Sequence, residues 1–83
     1  MKTSVEISMY PLSEEYEGLI LDFISRLNKH NGITTITNGM STQVFDTFDT
    51  VMAAITTEIK ADFKKGKTMI FVMKCVNADL KNY

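Results

Sequence analysis

The stretch Ile33-Thr34-Thr35-Ile36-Thr37-Asn38-Gly39-Met40-Ser41-Thr42-Gln43-Val44-Phe45 decides how this chain folds. Two runs rich in β-branched and apolar residues flank Asn38-Gly39, and such side chains favour the pleated conformation. Asn and Gly both tolerate the positive φ that a type I′ turn needs at its two central positions, so the pattern predicts a two-residue hairpin. In that register Thr37 faces Met40, Thr35 faces Thr42 and Ile33 faces Val44. These six share one face of the sheet, and Thr34, Ile36, Ser41 and Gln43 share the other.

Elements with a helical period lie on either side. Upstream, Tyr16, Leu19, Ile20, Phe23, Ile24 and Leu27 recur at three- and four-residue steps, predicting a helix over 14–30 with one buried stripe. Ser13 reads as its N-cap, Glu14, Glu15 and Glu17 as acids in its first turn, and Asn31-Gly32 as its left-handed stop. Before it, residues 3–10 alternate Val5, Ile7, Met9 against Ser4, Glu6, Ser8, Tyr10, the period of a half-buried strand that Pro11 ends. Downstream, Asp46 and Asp49 suit the cap of a second helix over 47–65, with Phe48, Val51, Met52, Ile55, Ile59 and Phe63 inward. Lys60, Lys64 and Lys65 complement the C-terminal end of its dipole. The segment 67–76, KTMIFVMKCV, reads as a last strand.

The order β-α-β-β-α-β predicts an α+β ferredoxin-like fold, a four-stranded antiparallel sheet with both helices on one face. Residues 1–83 then read as a single ligand-binding domain of that type. In the last strand Met69, Phe71, Met73 and Cys75 alternate with Ile70, Val72, Lys74 and Val76, so both faces are apolar over most of its length. An antiparallel strand with one wet face alternates more cleanly. The pattern points to a homodimer or homotetramer that covers the open sheet face; the plainer alternative is a few tolerated exposed apolar residues.

Composition and spacing remove several function classes. Nine Lys and Arg against ten Asp and Glu leave a net charge of −1, with no general attraction for nucleic acid or anionic membranes. Residues 1–11 hold no apolar signal core and nowhere is there a run long enough for a membrane span, so a cytoplasmic setting is expected. The single Cys75 fits a reduced compartment and core or interface packing, and no metal set can be built around it. His30, the only histidine, suits a helix end better than a catalytic base, and the acids at the helix starts suit capping. KKGKT has one glycine and cannot cradle a phosphate, the third strand lacks the RNA-binding aromatic pattern, and the only arginine, Arg26, falls on the first helix away from any phosphate loop. No enzyme chemistry, cofactor or metal is expected.

Thr35, Thr37 and Thr42 share the face that this topology turns toward the helices. A buried unpaired hydroxyl costs on the order of 1–3 kcal/mol, so these groups either bond backbone locally or line a small polar pocket between sheet and helices. A pocket of this kind suits an uncharged or singly charged heterocycle.

The segments SMYPL, Thr35-x-Thr37 and STQVFDTFDTV resemble the thiamine/hydroxymethylpyrimidine-binding YkoF-like proteins from about residue 4 to residue 55, the last strand matching in type only. The resemblance implies a single-module member that binds thiamine or hydroxymethylpyrimidine without altering it and assembles as an oligomer. It carries over Ser41 and Thr42 as the family's S-T pair, Thr35 and Thr37 as the preceding threonines and Tyr10 as the Y-P tyrosine. Asn38 stands where the family often has an acid, so it offers neutral hydrogen bonds rather than a partner for the thiazolium cation. Thr35, Thr37, Asn38 and Thr42 are the expected contacts to the pyrimidine, with Ser41 and Tyr10 nearby. The alternative is an ACT-like regulatory module that binds a small metabolite at a dimer interface.

Overall fold

The longest strand, β1 (Lys2–Pro11), lies between two antiparallel partners and carries the fold. The computed structural model describes residues 1–83. After β1 come α1 (Tyr16–Asn28), β2 (Thr34–Thr37), β3 (Thr42–Thr47), α2 (Phe48–Phe63) and β4 (Met69–Val76), with sheet order β2-β3-β1-β4. This is the α+β ferredoxin-like βαββαβ fold that the pattern predicts.

Alternation along β1 divides the molecule into two layers. Val5, Ile7 and Met9 are buried against Leu19, Phe23 and Leu27 of α1 and Val51, Ala54 and Ile55 of α2, with Val44 of β3 and Met69 of β4 in the same cluster. Burying an aliphatic or aromatic side chain of this size contributes about 1.5–3 kcal/mol, so β1 alone brings three such contributions to the seam. The even residues Ser4, Glu6, Ser8 and Tyr10 face away from the helices, paired across β4 with Val76, Lys74, Val72 and Ile70. On that open face Tyr10, Ile36, Ile70, Val72 and Val76 are exposed. The Ser4 end is covered: Ser4 Oγ donates to the Ala78 carbonyl (2.7 Å) and accepts from the Leu80 N–H (2.9 Å), and the neighbouring Phe45 is buried.

The hairpin differs from the two-residue expectation. Thr37 faces Thr42 and Thr35 faces Val44, so residues 38–41 form a four-residue loop. Asn38 Oδ1 accepts from the N–H groups of Met40 (2.8 Å) and Ser41 (3.2 Å), and the Asn38 N–H donates to the Ser41 carbonyl (3.1 Å). The side chain thus makes the turn itself, and neither Asn38 nor Gly39 adopts positive φ. Positive φ occurs at Gly32 and Gly66, after the two helices.

Both helix caps also differ. The Leu12 N–H bonds the Thr68 carbonyl (3.0 Å), which keeps the chain in the sheet past Pro11 and delays α1 to Tyr16. Ser13 therefore caps nothing, and its buried hydroxyl has no protein partner. Asp46 belongs to β3 and pairs with Lys2 (3.3 Å), while Thr47 occupies the cap position of α2 and its hydroxyl donates to Thr50 Oγ1 (2.9 Å). Tyr16, Phe48 and Phe63, expected inside, are exposed, and Asp62 is buried in their stead. Cys75, expected in core or interface packing, is exposed on the edge strand β4 and so is not part of the core. No helix is long and apolar enough to cross a membrane.

A glycine pair tests the turn geometry. Gly39 has ordinary φ and open space around an added Cβ, so Gly39→Ala leaves the chemical-denaturation midpoint unchanged or raises it by up to about 1 kcal/mol of stability. Gly32 sits at φ +84° with Thr50 Cγ2 at 3.3 Å from an added Cβ, and Gly32→Ala lowers stability by about 1–2 kcal/mol.

Candidate functional site

Where β1 ends, the chain leaves a cleft of about 470 Å³ between the first half of α1, the end of β1 and loop 38–41. Tyr16, Ile20, Phe23 and Ile24 form the helix wall, Ile7 and Met9 the floor, and Tyr10, Pro11 and Leu12 one rim. The opposite wall is Thr37 to Thr42. No charged side chain lines it.

Five of the six expected site residues meet here. Thr37 Oγ1 and Thr42 Oγ1 lie 3.0 Å apart, with Thr42 buried and Thr37 exposed. One hydroxyl donates to the other, so the pair keeps one donor and free acceptor lone pairs for a ligand. Asn38 commits its oxygen to the loop and leaves its amide nitrogen unpaired with protein. Ser41 lines the cleft, but its hydroxyl turns to the open face and donates to Glu6 Oε2 (2.8 Å). Lys74, at 2.9 Å from Glu6 Oε1, and then Ser41 hold the Glu6 carboxyl below the usual carboxylate range. Tyr10 is exposed and belongs both to the cleft rim and to the open face. Thr35 is the exception: its hydroxyl donates to Asn28 Oδ1, and it does not line the cleft. The four-residue loop sets Thr35 opposite Val44, two residues farther from the cleft than the expected pairing with Thr42.

Sequence reasoning missed the aromatic wall. Tyr16 reads as part of the buried stripe of α1, yet it sits in the first turn, beyond the reach of α2, and faces the cleft. An aromatic at the start of an amphipathic helix, close to a strand end, is the signal that could have marked it.

A second polar cluster was also unforeseen, and it fixes the helix that forms the cleft wall. Arg26 of α1 bonds Asp22 (2.9 Å), Glu58 (2.6 Å) and Asp62 (2.5 Å), and Lys65 bonds Asp22 and Asp62 (both 3.0 Å). His30, expected in the last turn of α1, lies beyond it and meets Glu58 Oε2 at 2.6 Å. Asp62 is fully buried, which is tolerable only because two cations reach it. Burial pushes the Glu58 carboxyl up, but hydrogen bonds from His30 and Arg26 outweigh that and hold it below its usual range. For Asp22 the hydrogen bond from Lys65 is the largest effect and, with lesser help from Arg26, outweighs burial to hold the carboxyl below its usual range.

Against known proteins, the chain matches no family profile and no curated protein. Among solved structures, a Streptococcus pneumoniae protein superposes with a TM-score of 0.86 at 17% identity, covering 99% of this chain and 92% of its own. A Thermotoga maritima protein provisionally named for thiamine biosynthesis or salvage gives 0.81 at 15%, over 94% of this chain and 85% of its own. A Bacillus cereus domain of unknown function, DUF77, gives 0.78 at 13%, over 100% and 82%. The likeness is one of fold.

The helix seam carries a pH signature. Glu58 and Asp22 are held below their ordinary values, so their stabilising contribution is complete above the usual carboxylate range near 4 and is lost as pH falls through the lowered folded values. Urea denaturation from pH 7 down to about pH 3 therefore shows falling stability. Arg26→Met loses about 3 kcal/mol at pH 7 and weakens that dependence without abolishing it, because Lys65 still holds Asp22 low and His30 still bonds Glu58.

Proposed function

We propose that this chain binds a thiamine-related pyrimidine, hydroxymethylpyrimidine or thiamine itself, in the cleft between α1 and the hairpin, without altering it. The observation that carries the reading is the uncharged lining: apolar and aromatic walls with hydroxyl and amide groups at one side. Its volume falls in the range of small-molecule pockets, about 300–1,000 Å³. The Thr37–Thr42 pair and the Asn38 amide suit the ring nitrogens and exocyclic amine of an aminopyrimidine, and the exposed Tyr10 and Tyr16 offer faces against the ring. The same aromatic faces supply the only attraction here for a thiazolium cation, in line with Asn38 replacing an acid.

Two further points support the reading. The segments SMYPL and STQVFDTFDTV resemble the YkoF-like proteins, and the Thermotoga maritima structure of the same fold bears a thiamine-related name. Apart from two tyrosines, no titratable side chain lines the cleft, which favours binding over proton-transfer chemistry. An amino acid, the ligand of an ACT-like module, would bring an ammonium and a carboxylate into a lining with no ion to meet either. In this reading the chain works as a homodimer or homotetramer through its open sheet face, with no cofactor of its own.

Calorimetric titration tests the proposal. Hydroxymethylpyrimidine or thiamine gives saturable heat, and Thr37→Val with Thr42→Val weakens it by about tenfold or more, as the loss of one or two hydrogen bonds requires. No heat from either compound at millimolar concentration contradicts the proposal.

A further inference from the structure

Loop 38–41 carries much of the polar wall of the cleft, and its backbone bonds close on itself. Asn38 Oδ1 accepts from the N–H groups of Met40 and Ser41, and the Asn38 N–H donates to the Ser41 carbonyl. Two side-chain bonds tie the loop to β1. The Ser8 hydroxyl reaches the Met40 carbonyl at 3.5 Å, the outer limit of a hydrogen bond, whereas the Ser41 hydroxyl donates to Glu6 Oε2 at 2.8 Å. A bond to an ionised acceptor is the stronger kind, so the hold on the loop rests on Glu6.

Glu6 itself does not line the cleft. It stands on the open face of the central strand β1, opposite Gln43 of β3 on one side and Lys74 of β4 on the other. Its two oxygens have separate partners, Oε2 the Ser41 hydroxyl and Oε1 the Lys74 ammonium at 2.9 Å. Glu6 is the only charged residue of β1 after Lys2, and Lys74 is the only one of β4. Glu and Lys are poor strand formers, and a β-branched pair would serve the ladder better, so a charge pair in mid-strand calls for a reason beyond the sheet. An ionised carboxylate only accepts hydrogen bonds, so with Lys74 on one oxygen the other can only receive the Ser41 proton. That bond fixes the residue whose N–H and carbonyl both close on Asn38.

We propose that Glu6 is a positioning residue for the cleft: steadied by Lys74, it holds Ser41 and so sets the Asn38 amide and the Thr37–Thr42 hydroxyls from the opposite face of the sheet. The consequence for a ligand rests on the function proposed above; the hold on the loop does not.

Amide hydrogen exchange on the full chain, followed by calorimetric titration with hydroxymethylpyrimidine, tests it. In Glu6→Ala and in Ser41→Ala the Met40 and Ser41 amides exchange several-fold faster, measured against Val5 and Ile7, whose amides report the whole fold. The double variant exchanges no faster than either single one, because both remove the same bond. Glu6→Gln keeps a carbonyl that accepts from Ser41 and stays near the wild type, and Lys74→Met falls between. Affinity for hydroxymethylpyrimidine drops about threefold or more in Glu6→Ala, and Glu6→Gln recovers most of it. Unchanged exchange at Met40 and Ser41 in Glu6→Ala, additive effects in the double variant, equal losses in Glu6→Gln and Glu6→Ala, or a wild-type affinity that Glu6→Ala leaves intact overturns the inference. If neither hydroxymethylpyrimidine nor thiamine binds the wild type while exchange changes as stated, the binding function fails and the positioning of the loop stands.

Discussion

The pairing of β1 with β3, which sets Ile7 opposite Thr42 and Val5 opposite Val44, is the constraint on which the rest depends. It turns Val5, Ile7 and Val44 toward the helices and so builds the core. It also turns the Thr42 hydroxyl into an apolar floor, where it needs a partner, and the hairpin supplies one in Thr37 at 3.0 Å. Moved by one residue, the same pairing would send every side chain of β3 to the other face. The cleft would then have neither its floor nor its hydroxyl pair.

Charge is distributed so that the cleft stays neutral. Arg26 and Lys65 pair with Glu58, Asp62 and Asp22 between the helices, Lys74 with Glu6 on the open face, and Lys67 with Glu15 (2.7 Å) at the surface, all outside the cleft lining. The helix network does structural work for the site, because it anchors α1, whose first half is the aromatic wall. The proposed function rests on this neutrality: a lining without ions suits the hydrogen-bonding groups of an aminopyrimidine better than the charges of a zwitterion.

Much of the fold was legible because the period of a strand survives errors of register. The Asn38-Gly39 motif implies a two-residue turn, and the structure has four, yet the threonines stay on the helix side because the pairing moved by two residues, a full side-chain period. Partners were less legible than faces: Thr35 was expected opposite Thr42 and instead bonds Asn28. The caps were misread where tertiary contacts outweighed local preference, as when Leu12 joined Thr68 and left Ser13 without a helix to cap. Asp62 gave no local sign of burial, since the cations that make it tolerable stand 36 residues upstream at Arg26 and three downstream at Lys65. Five of the expected site residues still converge, because they lie at one end of adjacent strands and the loop between two of them.

A nuclear magnetic resonance titration of the isotopically labelled chain with hydroxymethylpyrimidine tests the central claim most directly. The account predicts saturable shifts concentrated on Thr37–Thr42, Tyr10–Leu12 and Tyr16–Ile24, the residues that enclose the cleft. Shifts centred instead on Phe45, Lys74 and Leu80, which line a separate cavity at the far end of the open face, or none at saturating ligand, would contradict it.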